Sequence, residues 1–245
     1  MKKLIYLMIL SSFFAEQLFA VDMHVFQLSI YKITLLLLTF LITSIYLLKP
    51  DSVKIFPDGK SRKIVLFYFF WLFWAIISLA WVYDYKPWFR TVYAIASGVL
   101  VIIYLTMFLK NKKDFIAAFN IVQIMLIMHN IIGWYEIFTG DYRFLDSEKL
   151  DYYMMVDVAG RNPVSMLGNT NDFALLISMG AFISFICFKN SNNMLWKLIS
   201  LGTIVSSIVL LIRTDSRANI LGFIIAMGVF VLLYFFKAKN IKNFV

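Results

Sequence analysis

Cysteine and histidine are scarce in this 245-residue chain. The single cysteine, Cys187, excludes a disulfide within the chain and a metal cluster built from cysteines. The only two histidines, His24 and His129, are too far apart in sequence to form a His-rich metal motif. We therefore predict no metal site.

Acidic residues are also few, with 14 against 23 basic residues and a net charge of +9. In a soluble protein this balance would suggest nucleic-acid binding. Here 62% of the residues are hydrophobic, whereas soluble domains have about 45–50%. The solvent of this chain is therefore a bilayer, where an excess of Lys and Arg on the cytoplasmic side is expected. We predict no nucleic-acid partner.

Long apolar runs dominate the rest of the sequence. A spanning helix needs about 20 mostly apolar residues, and eight runs come close to that length. They predict an all-α protein, a polytopic transmembrane helical bundle of about eight spans in a single membrane domain. The runs lie at about 4–21, 27–48, 64–83, 91–109, 115–134, 171–188, 198–212 and 218–236.

The first run also has features of a signal peptide, with Lys2 and Lys3 before an apolar stretch that ends at Leu18-Phe19-Ala20. Leu18 is large where a cleavage site needs a small residue, so a retained first helix is favoured. Both interpretations leave Val21 outside, and the later topology is the same.

The distribution of charge predicts a cytoplasmic N-terminus. With alternating spans, that orientation places 15 of the 23 basic residues but only three of the 14 acidic residues inside. The opposite orientation would contradict the positive-inside rule. The one long loop, 135–170, is then extracytoplasmic. It mixes charged and aromatic residues, and long loops of this kind are usually functional or folded.

The end of this loop contains the first candidate site. Asn169 or Asn171 can cap the following helix, and Asp172 suits the positive end of its dipole. An ordinary junction between loop and helix thus explains most of the segment. It does not explain Arg161, because a cation before a helix start gains nothing from the dipole. Arg161 and free N–H groups at the helix start would suit an anion such as a phosphate, and both interpretations stay open.

The second candidate site is the next outer turn, where Arg213 and Arg217 bracket Asp215. The ordinary interpretation is that these residues end one helix, begin the next and pair with one another. Yet two arginines outside run against the charge rule, and arginine is well suited to bind phosphate oxygens. We hypothesise that Arg161, Arg213 and Arg217 converge on one polyanion. His129, within the fifth run, is interpreted as an interhelical histidine in preference to a proton relay.

Three segments together resemble a known family: Gly160-Arg161, Gly168-Asn169-Thr170-Asn171-Asp172-Phe173-Ala174 and Thr214-Asp215-Ser216-Arg217-Ala218. They are similar to motifs of the O-antigen ligase family, which includes O-antigen, capsular and exopolysaccharide polymerases. The family pattern is close to Arg-x-x-Gly-x-x-x-Asn-Pro-Asn-x-x-Ala, followed one hairpin later by Ser-Arg-Gly. Thr170 replaces its proline and Ala218 its last glycine. The resemblance covers about 159–222.

The resemblance implies a glycan polymerase or ligase of the bacterial plasma (inner) membrane. Such enzymes transfer glycans from an undecaprenyl-pyrophosphate carrier at the outer leaflet, in surface polysaccharide biosynthesis, without a metal or other cofactor. The implied partners are the bilayer, the lipid-linked glycan and other polysaccharide-assembly proteins. Two residues would be catalytic, Arg161 and Arg217. Four would bind substrate: Arg213, Asn169, Asn171 and Asp172.

The chain departs from the family in length. Family members usually continue for several more spans and carry another large outer loop with an essential His or Arg. The resemblance therefore predicts that this chain is the N-terminal portion of such an enzyme, a truncated gene product or a degenerate paralogue. Polymerase and ligase both stay open. One alternative is a polysaccharide transporter or flippase, for which broken helices would be expected. Only glycines, Gly98, Gly180, Gly202 and Gly228, interrupt the runs. Another is a non-catalytic membrane subunit of an envelope assembly complex.

Overall fold

A computed structural model describes residues 1–14, 21–22, 27–49, 60–144 and 161–242. Two short antiparallel strands, β1 (Val21–Asp22) and β2 (Gln27–Leu28), form a ribbon between the first two helices. All other regular structure in the part of the chain that is described is helical, which confirms the all-α helical bundle. The α-helices in the described ranges are α1 (Lys2–Ser11), α2 (Ile30–Leu48), α3 (Lys60–Ile77), α4 (Tyr85–Phe108), α5 (Lys112–Thr139), α6 (Thr170–Asn190), α7 (Met194–Arg213) and α8 (Arg217–Lys242).

Six of these helices, α2 to α7, are long and apolar enough to cross a membrane. The span that contains α3 is extended by a 3₁₀ helix, Ser78–Trp81. α8 adds a further apolar segment, Arg217–Leu233. α1 has ten residues, fewer than the predicted 4–21, and residues 15–20 lie outside the described ranges. The chain is thus a multi-pass membrane protein.

The end of α5 differs from the sequence prediction. The helix continues to Thr139 instead of ending near residue 134, so the first five residues of the predicted loop are helical. Gly140 closes it with φ +72°, and its N–H donates to the Glu136 carbonyl oxygen (2.9 Å). Glycine adopts this left-handed conformation without steric cost. Within the predicted loop, residues 145–160 are outside the described ranges.

The structure divides into two compact units, of which the first is Met1–Ala118. Ile5, Leu38 and Ile103 are among the buried residues of its core. The Tyr104 hydroxyl donates to Thr39 Oγ1 (2.7 Å), which links α4 to α2. Large apolar side chains of α3 point away from this core. Phe67, Phe70 and Trp74, for example, are each more than half exposed, as expected of a surface in contact with lipid.

The second unit, Phe119–Val245, contains most of α5 and all of α6 to α8. Its core includes Ile137 of α5, Phe173 and Ile177 of α6, and Leu210 and Leu211 of α7. The end of α5, the start of α6 and the end of α7 therefore meet at one end of this unit, and this is the end that carries the candidate site residues.

Buried polar side chains tie α5 to its neighbours. Gln123 donates to Thr203 Oγ1 of α7 (3.0 Å) and accepts from Ser184 Oγ of α6 (2.6 Å). Asn130 donates to Ser207 Oγ of α7 (3.2 Å). In lipid, where burial of apolar surface does not drive helices together, such hydrogen bonds help to hold them. α5 is thus a fixed support for what packs on its end.

Candidate functional site

The two sequence motifs are in direct contact. Ser216 Oγ, just before α8, donates to Asn171 Oδ1 in the first turn of α6 (2.8 Å). Asn219 Nδ2 donates to the Asn171 carbonyl oxygen (3.1 Å) and to Ser216 Oγ (2.8 Å). The starts of α6 and α8 are therefore joined by two hydrogen bonds, and the third holds Ser216 and Asn219 together at the start of α8. The positive ends of two helix dipoles thus lie next to each other.

Asn169 and Asn171 have different positions at the start of α6. Asn169 is the N-cap: its side chain accepts the Asn171 N–H (2.8 Å), and its carbonyl accepts the Phe173 N–H (3.0 Å). Gly168, with φ +63°, turns the chain into the cap. Asn171 bridges to α8 instead. Asp172, in the first turn, is exposed.

The turn between α7 and α8 holds two of the three predicted arginines. Arg213 is the last residue of α7 and is half-buried, whereas Arg217 begins α8 and is exposed. Asp215, between them, has φ +52° and forms no ion pair with another described residue. Among the residues that the structure describes, no hydrogen bond or ion pair engages the Arg217 guanidinium. Pairing within the turn therefore does not explain Arg217.

Arg161 lies at the end of α5. Its half-buried guanidinium donates from Nη1 to the Ile137 carbonyl oxygen at 3.5 Å, a long hydrogen bond. It also covers Gly140, where an added Cβ would come within 2.5 Å of Arg161 Cζ. Carbonyl groups at a helix end carry partial negative charge, which favours a cation there. The sequence did not suggest this structural role. The hydrogen bond uses one of the five guanidinium donors.

Another arginine of the outer loop, Arg143, is engaged in an exposed cluster. It donates to Asp141 Oδ2, which also accepts the Tyr135 hydroxyl (2.8 Å). Hydrogen bonds from Arg143 and Tyr135 lower the pKa of the Asp141 carboxyl. The Arg143 guanidinium also lies over the Tyr135 ring, 5.3 Å from its centroid. Since its charge is matched by Asp141, Arg143 is not a candidate anion ligand.

Buried polar contacts join α5 to the segment before α6. Glu136 Oε2 accepts the N–H groups of Val164 (2.9 Å) and Ser165 (2.8 Å). His129 Nδ1 lies 2.9 Å from Ser165 Oγ. All four residues are buried. Ser165–Leu167 forms a short 3₁₀ helix, so the Glu136 carboxylate sits at the start of a helical turn. Glu136 Oε1 is buried and has no hydrogen-bond partner among the described residues.

The predicted residues therefore all lie at one end of the second unit, but different contacts hold them there. Asn169, Asn171 and Arg217 belong to the hydrogen-bonded starts of α6 and α8. Arg161 donates a hydrogen bond to Ile137, and Arg213 follows Leu211 on α7. Ile137 and Leu211 belong to the same buried cluster. Whether these side chains bind one ligand stays a prediction. Across the described ranges, no group of three His, Cys, Asp or Glu side chains is placed to hold a metal ion.

Comparison with known proteins gives one curated relative. No protein-family model and no solved structure matches the chain. The chain is 25% identical over 229 residues to the teichuronic acid biosynthesis protein TuaE of Bacillus subtilis (strain 168). The match covers 94% of this chain and 46% of that protein. The chain thus spans about half the length of the curated relative it matches.

Glu136 is the main residue that sequence reasoning missed. It falls within the predicted outer loop, 135–170, although it lies on α5. The sequence does contain an indication of its role, because His129, Gly133, Glu136 and Gly140 are spaced four, three and four residues apart. This spacing puts all four on one helix face. The helix dipole also disfavours an acidic residue in the last turn of a helix. Its presence there predicts that donors from outside the helix bind the carboxylate.

Proposed function

We propose that this chain acts in cell-surface polysaccharide biosynthesis, as all or part of a membrane glycan polymerase or ligase. Its substrate would be an oligosaccharide linked to undecaprenyl pyrophosphate at the outer leaflet. Three findings support this proposal: the multi-pass helical fold, the motif resemblance over about 159–222, and the similarity to a teichuronic acid biosynthesis protein. The charge distribution favours a cytoplasmic N-terminus, which puts the site on the extracytoplasmic side of a bacterial cell membrane.

The observation that carries the proposal is the contact between Asn171, Ser216 and Asn219. It brings two helix starts together, and helix starts favour anions through their N–H groups and dipoles. Arg217 stands at one of these starts, exposed and without a partner among the described residues. A pyrophosphate bound here would contact the Arg217 guanidinium and the positive dipole ends of two helices.

The chemistry proposed for this site is electrostatic. In glycosyl transfer, an acceptor hydroxyl oxygen bonds to the anomeric carbon and gives up its proton. The bond between that carbon and the pyrophosphate oxygen breaks, and the pyrophosphate oxygen keeps the electron pair. Cations already in position stabilise that developing charge without a metal ion. We assign this role to Arg217 and Arg161, with Arg213 as a further contact to the pyrophosphate. Asn169, Asn171 and Asp172 would shape the site around the two helix starts.

The transporter alternative gains no support from the described helices. Transporters often bind substrate at discontinuous helices near the middle of the membrane. Here α4 runs unbroken through Gly98, α6 through Gly180 and α7 through Gly202. The remaining alternative is a non-catalytic subunit, and the second experiment below distinguishes it from an enzyme.

The test measures binding of undecaprenyl pyrophosphate to the purified chain in nanodiscs, for wild type and for Arg217→Lys. Lysine keeps the charge but loses the fork. Hydrogen bonds to charged groups contribute about 1.5–3 kcal/mol, so we expect affinity to fall about 10- to 100-fold. Arg90→Lys is the matched control, because Arg90 is exposed and belongs to the first unit. Equal affinity in all three proteins would contradict the proposal.

A second measurement separates an enzyme from a scaffold. The length distribution of the surface glycan is compared in cells that carry the wild-type gene, Arg161→Lys or Arg217→Lys at the native locus. If the arginines hold the pyrophosphate during catalysis, lysine should shorten the glycan, because it lacks the two-pronged guanidinium. If the chain is a non-catalytic subunit, lysine should have no effect on glycan length. Unchanged glycan length in both mutants, at normal protein level, would support the non-catalytic subunit.

A further inference from the structure

One face of α5 contacts the chain that leads into α6. We define the entry loop as residues 161–169 and the docking face as His129, Gly133, Glu136 and Gly140. His129 and Glu136 hydrogen-bond to the entry loop, and Arg161 covers Gly140. An added Cβ at Gly133 would lie 3.5 Å from Pro163 Cβ and 2.9 Å from the Phe173 ring. The absence of a side chain at Gly133 thus lets the loop approach.

Two charges that look misplaced in the sequence complement each other in the structure. Glu136, near the C-terminus of α5, and Arg161, ahead of α6, both stand at the unfavourable end of a helix dipole. In the fold, Arg161 lies at the C-terminus of α5, and the Glu136 carboxylate accepts two N–H groups at the start of the 3₁₀ turn. Each charge therefore stabilises a helical end that belongs to the other segment.

The entry loop adopts a backbone conformation that needs support. Ser165 has φ +51°, in the left-handed region that residues with a side chain rarely enter. Its N–H is bound by Glu136 and its hydroxyl by His129. Ser165 and Met166 are both buried. Without the docking face, little in the local sequence would favour this turn.

We propose that Glu136, assisted by His129, is a positioning residue for the site at the starts of α6 and α8. By holding the entry loop on α5, it fixes where Arg161 lies and where Asn169 caps α6. The assignment to a pyrophosphate site rests on the proposed function, but the docking of the loop does not. Glu136 itself touches no substrate in this scheme.

The docking is tested by the reactivity of a reporter cysteine. Cys187→Ala removes the only cysteine, and Met166→Cys, at a site 6% exposed, reports opening of the entry loop. The protein is purified in nanodiscs, where both faces are open to a maleimide reagent. Glu136→Ala should speed labelling at least about tenfold, equivalent to about 1.4 kcal/mol of easier opening. Glu136→Gln keeps an acceptor oxygen and should restore most of the protection.

The matched control is Gln123→Leu, which removes another buried polar side chain of α5. The hydrogen bonds of the Gln123 side chain go to Ser184 and Thr203, which lie outside the entry loop, so labelling should stay slow. Equal labelling rates in wild type and Glu136→Ala would overturn the proposal. If Glu136→Ala does not fold, Ser165→Ala removes only the contact to His129. Labelling should then rise by a smaller factor, and no rise would again overturn the proposal.

A lipid-binding cycle tests positioning as distinct from general stability. Undecaprenyl pyrophosphate affinity is measured for Glu136→Ala, Arg161→Ala and the double mutant. If Glu136 acts through Arg161, its loss should weaken binding in wild type but have little further effect once Arg161 is gone. Additive losses would overturn the positioning role. If wild type does not bind this lipid, the proposed function fails, whereas the labelling result still decides the docking of the loop.

Discussion

Replacing Gly140 by alanine tests the position of Arg161 without touching the arginine. Gly140 has φ +72°, and an added Cβ would lie 2.5, 2.7 and 2.8 Å from Cζ, Nη2 and Nη1 of Arg161. Contacts under 3 Å between such atoms are not tolerated, so the guanidinium must move. It would then leave the Ile137 carbonyl oxygen, to which it donates at 3.5 Å.

The magnitude has two parts. A residue with a side chain in the left-handed region costs about 1–2 kcal/mol. A displaced guanidinium loses a hydrogen bond with a net contribution of about 0.5–1.5 kcal/mol. We therefore expect Gly140→Ala to lower the free energy of unfolding by about 1.5–3.5 kcal/mol. Gly202 is the opposite case, since it is helical and nothing lies within 4 Å of its added Cβ. Gly202→Ala should raise stability by about 0.5–1 kcal/mol.

The assay is reversible unfolding of the purified protein in mixed micelles, applied to the two alanine mutants and to a double-mutant cycle with Arg161→Ala. Removing the guanidinium relieves its steric clash with the added Cβ at position 140. It does not remove the cost of the left-handed backbone conformation there. The Gly140→Ala penalty should therefore shrink by about 1 kcal/mol when Arg161 is already alanine. An identical penalty in both backgrounds would refute the contact between Arg161 and Gly140.

Three further predictions concern the cap, the polar seam and the topology. Asn169→Ala should lower the free energy of unfolding by about 1 kcal/mol, because the N-cap of α6 is lost; no change in a denaturation curve would deny it that role. Gln123→Leu should destabilise the second unit by about 0.6–2 kcal/mol through its two lost interhelical bonds, and a stabilising result in the same assay would argue against the seam. In a Cys187→Ala background, an impermeant thiol reagent applied to intact cells should label Tyr83→Cys but not Asn111→Cys; the reverse pattern would place the N-terminus outside.

The helices were predictable because each apolar run is bounded by charge or turn residues, but their ends were less so. α4 begins at Tyr85, six residues before the predicted start, because the Asp84 side chain caps it by accepting the Lys86 N–H (2.9 Å). Pro87, in the first turn, is compatible with this start. Hydropathy does not register capping chemistry, and so the predicted run began only where the sequence becomes continuously apolar.

For the site, sequence reasoning identified the segments but not their partners. Capping by asparagine is local chemistry, and it predicted that either Asn169 or Asn171 caps α6; the N-cap in the structure is Asn169. The choice between them depends on Ser216, which is 45 residues away and is brought close only by the packing of α6 against α8. The same holds for Glu136, whose partners Val164 and Ser165 lie across the outer loop.

The structural role of Arg161 and its proposed anion-binding role are compatible, but they make its mutants hard to interpret alone. Its bond to Ile137 is long and occupies one donor, so the remaining donors stay available to a ligand. Loss of lipid binding in Arg161→Ala therefore follows both from a missing ligand contact and from a displaced entry loop. Arg217 has no partner among the described residues, and its substitution changes only what it binds. The function is thus tested most directly at Arg217, and the geometry at Gly140 and Glu136. Arg161 is interpretable only once both of those results are known.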